Sequence, residues 1–311
     1  MKWIKKGVIF APTAATERMT SHAAIPVADT TADGALRIYF SSRDRAGRSH
    51  PYSIDVAADD PGRVVAVCDR PLFPLGPAGT FDDNGIMPSW IATDGATKYL
   101  YYIGWNPQVT VSYRLAIGRA ISRDGGQTYA KELLGPVCDR SISEPYFCTA
   151  PCVRKEGDLW RMWYVSCTGW TVIRERSEPI YCVKYAESPD GIAWTMGGKV
   201  CIDYDDSTQA IGRPCVFRLG GRYRMIYSYR YLDGYRTDPA KSYRLGYAES
   251  ADGIAWVRKD DEVGIALSDT GWDSDMIEYC HYHTHGQNTY LFYNGNGFGQ
   301  SGIGYAVLEQ D

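Results

Sequence analysis

Residues 181–202 read YCVKYAESPDGIAWTMGGKVCI, and residues 243–265 read YRLGYAESADGIAWVRKDDEVGI. Two near-copies about sixty residues apart mark an internal repeat, which governs any reading of the fold. A more diverged third copy, YRLAIGRAISRDGGQTYAKELLG, occupies 113–135. Each copy alternates apolar and polar residues, turns at Asp-Gly or Asp-Gly-Gly, and resumes at an aromatic residue. That is the pattern of a β-hairpin with its turn chemistry.

Ahead of each copy lies a second strand pair: WIATDGATKYLYYIGW (90–105), CVRKEGDLWRMWYVSC (152–167) and CVFRLGGRYRMIYSYR (215–230). The repeating unit is therefore four strands. Diverged units flank the three clear ones, at 22–57 and at 275–309, and the last ends after three strands. KWIKKGVIFAP (2–12) is similar to AWTMGGKVCI (193–202) and is expected to supply the missing strand. A ring closed in this way has no unpaired edges. The sequence predicts an all-β, five-bladed β-propeller of four-stranded blades, one domain over 1–311, with no amphipathic helix.

Composition agrees. The 311 residues include 24 Tyr, 9 Trp and 32 Gly, as many short strands joined by turns require. The net charge is −4 and no basic run tracks a polyanion, so no nucleic-acid partner is expected. No stretch of 18 apolar residues predicts a membrane span, and MKWIKKGVIFAPTAATERM makes a poor signal peptide. The nine cysteines match no zinc spacing and are read as reduced, buried thiols of a cytoplasmic protein. No cofactor is implied, and the oligomeric state is not set.

The YAES.DGIAW hairpins, the PCV…W.MWY strand pairs and FYNGNGFG (292–299) resemble the five-bladed propeller glycosidase superfamily over essentially the whole chain. That superfamily includes levansucrases and invertases, arabinanases and xylosidases, and the mannoside phosphorylases. SRDGGQTY (122–129) is similar to the Asp-box turn of sialidase propellers. The resemblance implies a funnel at one end of the channel, acting on a sugar.

In a propeller, the stretches that enter the innermost strands face the funnel. Here they are SHAAIPVA (21–28), TFDDNGIMPSWI (80–91), SISEPYFCTAPCV (141–153), QAIGRPCVF (209–217) and WDSDMIEY (272–279). The superfamily's hydrolases use three acids, one from each of the first three blades. Carried over by position, Glu144 is the candidate general acid, and Asp83 or its neighbour Asp82 the second carboxylate; alternation lets only one of those two point inward. Blade one departs from the pattern. It carries Ser21-His22 where the hydrolases have an acid, and the nearest carboxylates are Asp29 and Asp44. His22 becomes a candidate base, and Asp275 or Glu278 of blade five a candidate partner for Glu144.

The missing acid also admits a phosphorylase-like enzyme, with Arg43, Arg140 and Arg213 holding a phosphate or a nucleotide diphosphate. Trp105, Trp170, Tyr146, Trp272 and Tyr235 fall on the funnel side as rings on which a sugar could stack, and Trp105 is taken as the candidate platform. The expected substrate is a small sugar, phosphorylated or nucleotide-linked; a carbohydrate-binding propeller without catalysis is the reading from another class. Glu187 and Glu249 recur with the hairpins and are read as structural. His281, His283 and His285 of HYHTH share one strand face, but adjacent same-face residues rarely close a tetrahedral site, so no metal is expected. The insertions at 167–180 and 229–242 are expected to hang over the pocket as lids.

Overall fold

The computed structural model describes residues 1–13, 17–204 and 209–309. Blade one contains β2 (Ser21–Thr30), β3 (Leu36–Arg43), β4 (Ser49–Val56) and β5 (Val64–Val67). Blade two contains β6 (Ile86–Asp94), β7 (Thr97–Pro107), β8 (Tyr113–Ser122) and β9 (Ala130–Lys131). Blade three contains β10 (Cys148–Glu156), β11 (Leu159–Ile173), β12 (Arg176–Ser188) and β13 (Thr195–Ile202). Blade four contains β14 (Gln209–Leu219), β15 (Arg222–Tyr231), β16 (Arg244–Ser250) and β17 (Val257–Arg258). Blade five contains β18 (Glu278–His285), β19 (Asn288–Asn294), β20 (Ile303–Leu308) and, from the other end of the sequence, β1 (Trp3–Phe10). Every sheet is antiparallel, and β1 pairs with β20 from Trp3 opposite Leu308 to Phe10 opposite Ile303. The propeller and its closure are as the repeat predicts.

The Asp-Gly turns bind blade to blade. Asp190 Oδ1 accepts the Ile192 and Ala193 amides, and Asp252 Oδ1 accepts those of Ile254 and Ala255 in the same way. The preceding blade grips each such turn through an aromatic donor. Tyr39 donates to the Gly126 carbonyl at 2.9 Å, Tyr101 to Gly191 at 2.8 Å, and Trp163 Nε1 to Gly253 at 2.7 Å. A buried carbonyl left unpaired would cost about 1–3 kcal/mol, so these bonds set blade spacing as well as turn shape.

A second repeated device uses carboxylates. Asp82, Glu144 and Asp273 each accept a hydrogen bond from a tyrosine twenty residues later, Tyr102, Tyr164 and Tyr293, at 2.9, 2.9 and 3.0 Å. Each also pairs with a lysine: Lys131 at 2.7 Å, Lys184 at 2.9 Å and Lys5 at 2.7 Å. In blade four Asp260 does the same with Tyr227 and Arg258. A buried charge persists only when it is paired and hydrogen-bonded, and each acid–tyrosine–cation trio meets that condition.

The innermost strands are bulged. Their ladders shift register between Ser21 and Val27, Pro88 and Trp90, Thr149 and Cys152, Gly212 and Cys215, and Glu278 and His281. At four of the five bulges a residue takes the left-handed conformation: Ile25 (φ 58°), Ala150 (φ 47°), Arg213 (φ 34°) and Tyr279 (φ 54°). Three of these four precede a proline, which normally restricts its neighbour to extended backbone. Bulges re-aim side chains, and strain held at matching places around a channel marks a working surface.

No helix among the described residues is long and apolar enough to cross a membrane. The described cysteines are unpaired thiols.

Candidate functional site

A cavity of about 310 Å³ opens where the five bulges converge. That is the low end of the ~300–1,000 Å³ typical of small-ligand sites. Its two sides differ. Met87, Ile103, Trp105, Tyr113, Leu115, Phe147 and Val165 of blades two and three form an apolar, aromatic wall. Tyr113 packs against Phe147 at 6.1 Å and against Trp170 at 5.4 Å between ring centroids. The opposite side, from blades four, five and one, presents His22, Arg43, Arg230, Arg236, Tyr235, Tyr243 and Tyr279. No carboxylate lines the cavity among the described residues.

The sequence-predicted residues divide accordingly. His22, Arg43, Arg213 and Trp105 line the cavity. His22 Nδ1 lies 2.9 Å from Ser21 Oγ, and burial, then the charge of Arg43, lower its pKa to about 4. The imidazole is therefore neutral at pH 7. The Arg43 guanidinium has no hydrogen-bond or ion-pair partner among the described residues, while its carbonyl accepts from Thr20. Partial burial and the neighbouring Arg236 hold the guanidinium below the usual arginine value.

Glu144 does not reach the cavity. Its Oε1 holds Tyr164 and Lys184, and its Oε2 accepts from Ser166, so it is the blade-three member of the acid–tyrosine–cation series rather than a free proton donor. Asp82 is the blade-two member. Asp83 accepts from Asn106 Nδ2 at 2.5 Å and from the Gly79 amide at 2.8 Å, as a turn cap. Both precede β6, so strand alternation does not apply to them. Asp275 is exposed, with Oδ1 taken by Ser274 Oγ at 3.1 Å. Arg140 is exposed and outside the cavity. Asp29 is tied to Lys98, and Asp44 to Arg48 and His50.

Arg213 touches the cavity, but its guanidinium faces the protein. Nη1 donates to the carbonyls of Tyr279 and Cys280, and Nη2 to those of Pro26 at 2.9 Å and Ser89 at 3.1 Å. One blade-four side chain thus holds blades five, one and two at the channel axis. With four donors already used, a substrate-anchoring role does not fit it.

Glu278 sits behind the lining, fully buried. Its Oε1 accepts from Asn294 Nδ2 at 2.8 Å, while its Oε2 has no partner among the described residues. Burial pushes its pKa up to about 8 against the opposing pull of Asn294 and Arg230. Thr149 Oγ, on the cavity wall, is also unpartnered. His281, His283 and His285 stack with centroids 6.3 and 6.5 Å apart, too far for adjacent rings to share one ion. No cluster of His, Cys, Asp or Glu suited to a metal occurs among the described residues.

Sequence reasoning missed Arg230, Arg236, Glu178 and Tyr243. Tyr235 donates to Glu178 Oε2 at 2.7 Å, and Arg236 Nε donates to Glu178 Oε1 at 3.2 Å. Arg230 lies over the Tyr235 ring at 3.8 Å, and its Nε is 3.2 Å from the Tyr243 hydroxyl. The signal was the alternating YRYLDGYR at 229–236, within a segment expected to be a lid. Glu178 comes from the other expected lid, which proves to be the extended tip of the β11–β12 hairpin. Among the described residues, 229–242 supplies Arg230, Tyr235 and Arg236 to the lining, whereas Trp170 and Glu178 of 167–180 stand behind lining residues.

Comparison with known proteins bears on the fold. The chain is similar over 99% of its length to BT0996, solved in an RGII complex, with TM-score 0.76, 17% identity and 92% of that protein covered. It is similar to a glycosyl hydrolase from Bacteroides ovatus, with TM-score 0.72, 18% identity, and 99% and 93% of the two chains covered. It is likewise similar to a structure described under the GH130 mannoside phosphorylases and the hydrolases of β-1,2 mannosidic linkages among them, with TM-score 0.69, 17% identity, and 99% and 93% covered. These place its architecture with the propeller glycosidases. No family model matches the chain. Two relatives are much nearer in sequence: the uncharacterized proteins MT1551 and Rv1502 of Mycobacterium tuberculosis, each 37% identical over 99% of this chain and 100% of its own length. At that identity over full length, the chain belongs to the same family as these two mycobacterial proteins.

Proposed function

We propose that the chain is a glycosyl-processing enzyme whose substrate is a sugar joined at its anomeric carbon to a diphosphate, as in a nucleotide sugar. The observation that carries this reading is that Arg43, whose guanidinium has no hydrogen-bond or ion-pair partner among the described residues, and Arg236 both line a cavity that no carboxylate lines among them. Like charges on one cavity repel, and Glu178 and Glu278 offset this only from behind the lining, so an anion in the cavity is favoured; the planar fork of arginine suits phosphate oxygens. The missing acid points the same way. Cleavage of an ordinary glycoside needs a carboxylic acid to protonate the leaving oxygen. A diphosphate leaves without a proton, because its terminal phosphate is largely a dianion near neutral pH (pKa about 6). The aromatic wall of Trp105, Tyr113 and Phe147 suits the C–H face of a sugar or the rest of the leaving group. The fold shared with propeller glycosidases supports action at an anomeric carbon.

Calorimetric titration with uridine and guanosine diphosphates, inorganic phosphate and neutral mannobiose tests the reading. Diphosphate binding that falls at least tenfold in Arg43→Ala and in Arg236→Ala supports it. Preference for the neutral disaccharide, indifferent to Arg43→Ala, would overturn it. Inorganic phosphate binding together with phosphate-dependent cleavage of the disaccharide would redirect it to phosphorolysis.

A further inference from the structure

We propose that Tyr235 is the nucleophile of this site and Glu178 its proton acceptor, so that transfer runs through a glycosyl–tyrosine intermediate; this rests on the diphosphate-sugar reading above. The geometry is that of an activated nucleophile: a hydroxyl within hydrogen-bond reach of a base, and the base fixed by a third group. Tyr235 Oη is 2.7 Å from Glu178 Oε2, and Arg236 Nε holds Glu178 Oε1 at 3.2 Å. Arg230 Nη2 stands 3.9 Å from Oε2.

Other hydroxyls on the cavity lack a carboxylate that an arginine holds in place. Among the described residues the Tyr181 and Tyr279 hydroxyls bond the Tyr243 hydroxyl, at 2.8 and 3.4 Å, and Tyr279 also adjoins the buried Glu278, whose Oε2 no third group fixes. Thr149 Oγ has no partner among the described residues. Among the described residues, Tyr235 is the cavity-lining tyrosine that donates, at 2.7 Å, to a carboxylate fixed by an arginine.

The choice of nucleophile has a physical reason. A carboxylate facing the cavity would repel a diphosphate. A phenol keeps the negative charge one atom further back, on Glu178, until bond formation begins. The guanidinium groups of Arg230 and Arg236 lie 3.8 and 4.5 Å from the Tyr235 ring centroid and oppose the charge that develops on it. Burial keeps the phenol protonated, so proton transfer to Glu178 must accompany attack.

The chemistry balances. Tyr235 Oη forms a bond to the anomeric carbon as the bond from that carbon to the diphosphate oxygen breaks. The phenol proton passes to the Glu178 carboxylate, and the diphosphate departs with the electron pair toward Arg43. Water or an acceptor hydroxyl then attacks the same carbon and releases its proton to solvent. Tyr235 leaves by retaking the proton from Glu178. Two displacements retain the anomeric configuration.

The test uses the full chain with 2-deoxy-2-fluoro sugars, whose intermediates form and then break down slowly. One arm supplies them as uridine or guanosine diphosphate esters. The other supplies them as prenyl diphosphate esters, which separates the two sources of a diphosphate leaving group. The expected result in either arm is a fluoro-glycosyl mass on the peptide containing Tyr235, with retained configuration in turnover of the natural sugar. Tyr235→Phe loses the adduct and at least 100-fold in turnover while binding free diphosphate within threefold of wild type. Glu178→Gln slows adduct formation in the same way. An adduct elsewhere, inversion, turnover without any trapped adduct, or Tyr235→Phe turnover within tenfold of wild type would overturn the nucleophile and leave the diphosphate reading standing. Wild type that neither binds nor consumes any diphosphate ester overturns both. Trapping on wild type does not depend on whether the variants fold.

Discussion

The Lys184 ammonium lies 2.9 Å from Glu144 Oε1, inside the third blade and away from the cavity. The acid that position assigns to chemistry is thereby a member of a structural series repeated in four blades. Glu144→Ala strips the partner from a half-buried lysine and from two buried hydroxyls. Removing one member of a buried pair typically costs about 3–5 kcal/mol. The expected outcome is a loss of that order in chemical denaturation, with ligand affinity of the surviving folded protein unchanged. An affinity loss at full stability would return Glu144 to the site.

Arg213 is expected to be a stability residue in the same sense. Its guanidinium satisfies four main-chain carbonyls from three other blades. A lysine presents three donors from one point and cannot span them. Each buried carbonyl left open costs about 1–3 kcal/mol. Arg213→Lys should therefore lower unfolding free energy by at least ~2 kcal/mol, read from a urea denaturation midpoint at unchanged slope. The cavity's arginine pair should still bind diphosphate.

Glu278 gives stability a pH dependence of definite sign. Its pKa is raised from 4.5 to about 8 in the fold. The folded state therefore binds more protons than the unfolded one between those values, and stability falls as pH rises through that window. Each tenfold change in proton affinity is worth about 1.4 kcal/mol, so a fall of a few kcal/mol is expected. His22 and His283, both lowered to about 4, act in the opposite sense: stability is lost as pH falls from 6.5 towards 4. Glu278→Gln keeps an oxygen for Asn294 and cannot titrate. Thermal melting from pH 5 to 9 should show a flatter profile above pH 6.5 for this variant, and an unchanged slope would refute the assignment.

Ring closure depends on the first ten residues. β1 completes blade five, buries Trp3, and sends Lys5 to Asp273. Deleting residues 1–12 exposes the edge of β20 and leaves Asp273 buried without its cation. An open edge recruits other chains. Size-exclusion chromatography should show association of the shortened chain, with a lower melting temperature. Adding a peptide of residues 1–13 should reverse both.

Much of the architecture was written in local pattern. The YAES.DGIAW copies carry hairpins, turns and blade period in contiguous residues, because a turn's chemistry is decided within four positions. The likeness of residues 2–12 to residues 193–202 was enough to close the ring. Glu187 and Glu249 behave as repeat residues should, each accepting from a tyrosine two positions earlier at 2.8 Å.

The site was legible only in part. His22, Arg43 and Trp105 could be placed because they adjoin or lie within strand ends whose direction the repeat sets. Glu144, Asp82 and Asp83 could not, because a carboxylate three or four residues before a strand can fold back over the blade or forward into the channel. The free energy of that choice lies in Tyr164, Lys184, Tyr102 and Lys131, which are distant in sequence. Tyr235 and Glu178 meet across 57 positions, from two insertions that only packing brings together. The sequence by itself determined the repeat, the strand count and the ring, since these follow from periodicity and turn chemistry. The tertiary structure decided which charges are spent on holding the blades and which remain free for a ligand, since a charge's role depends on the partner that reaches it.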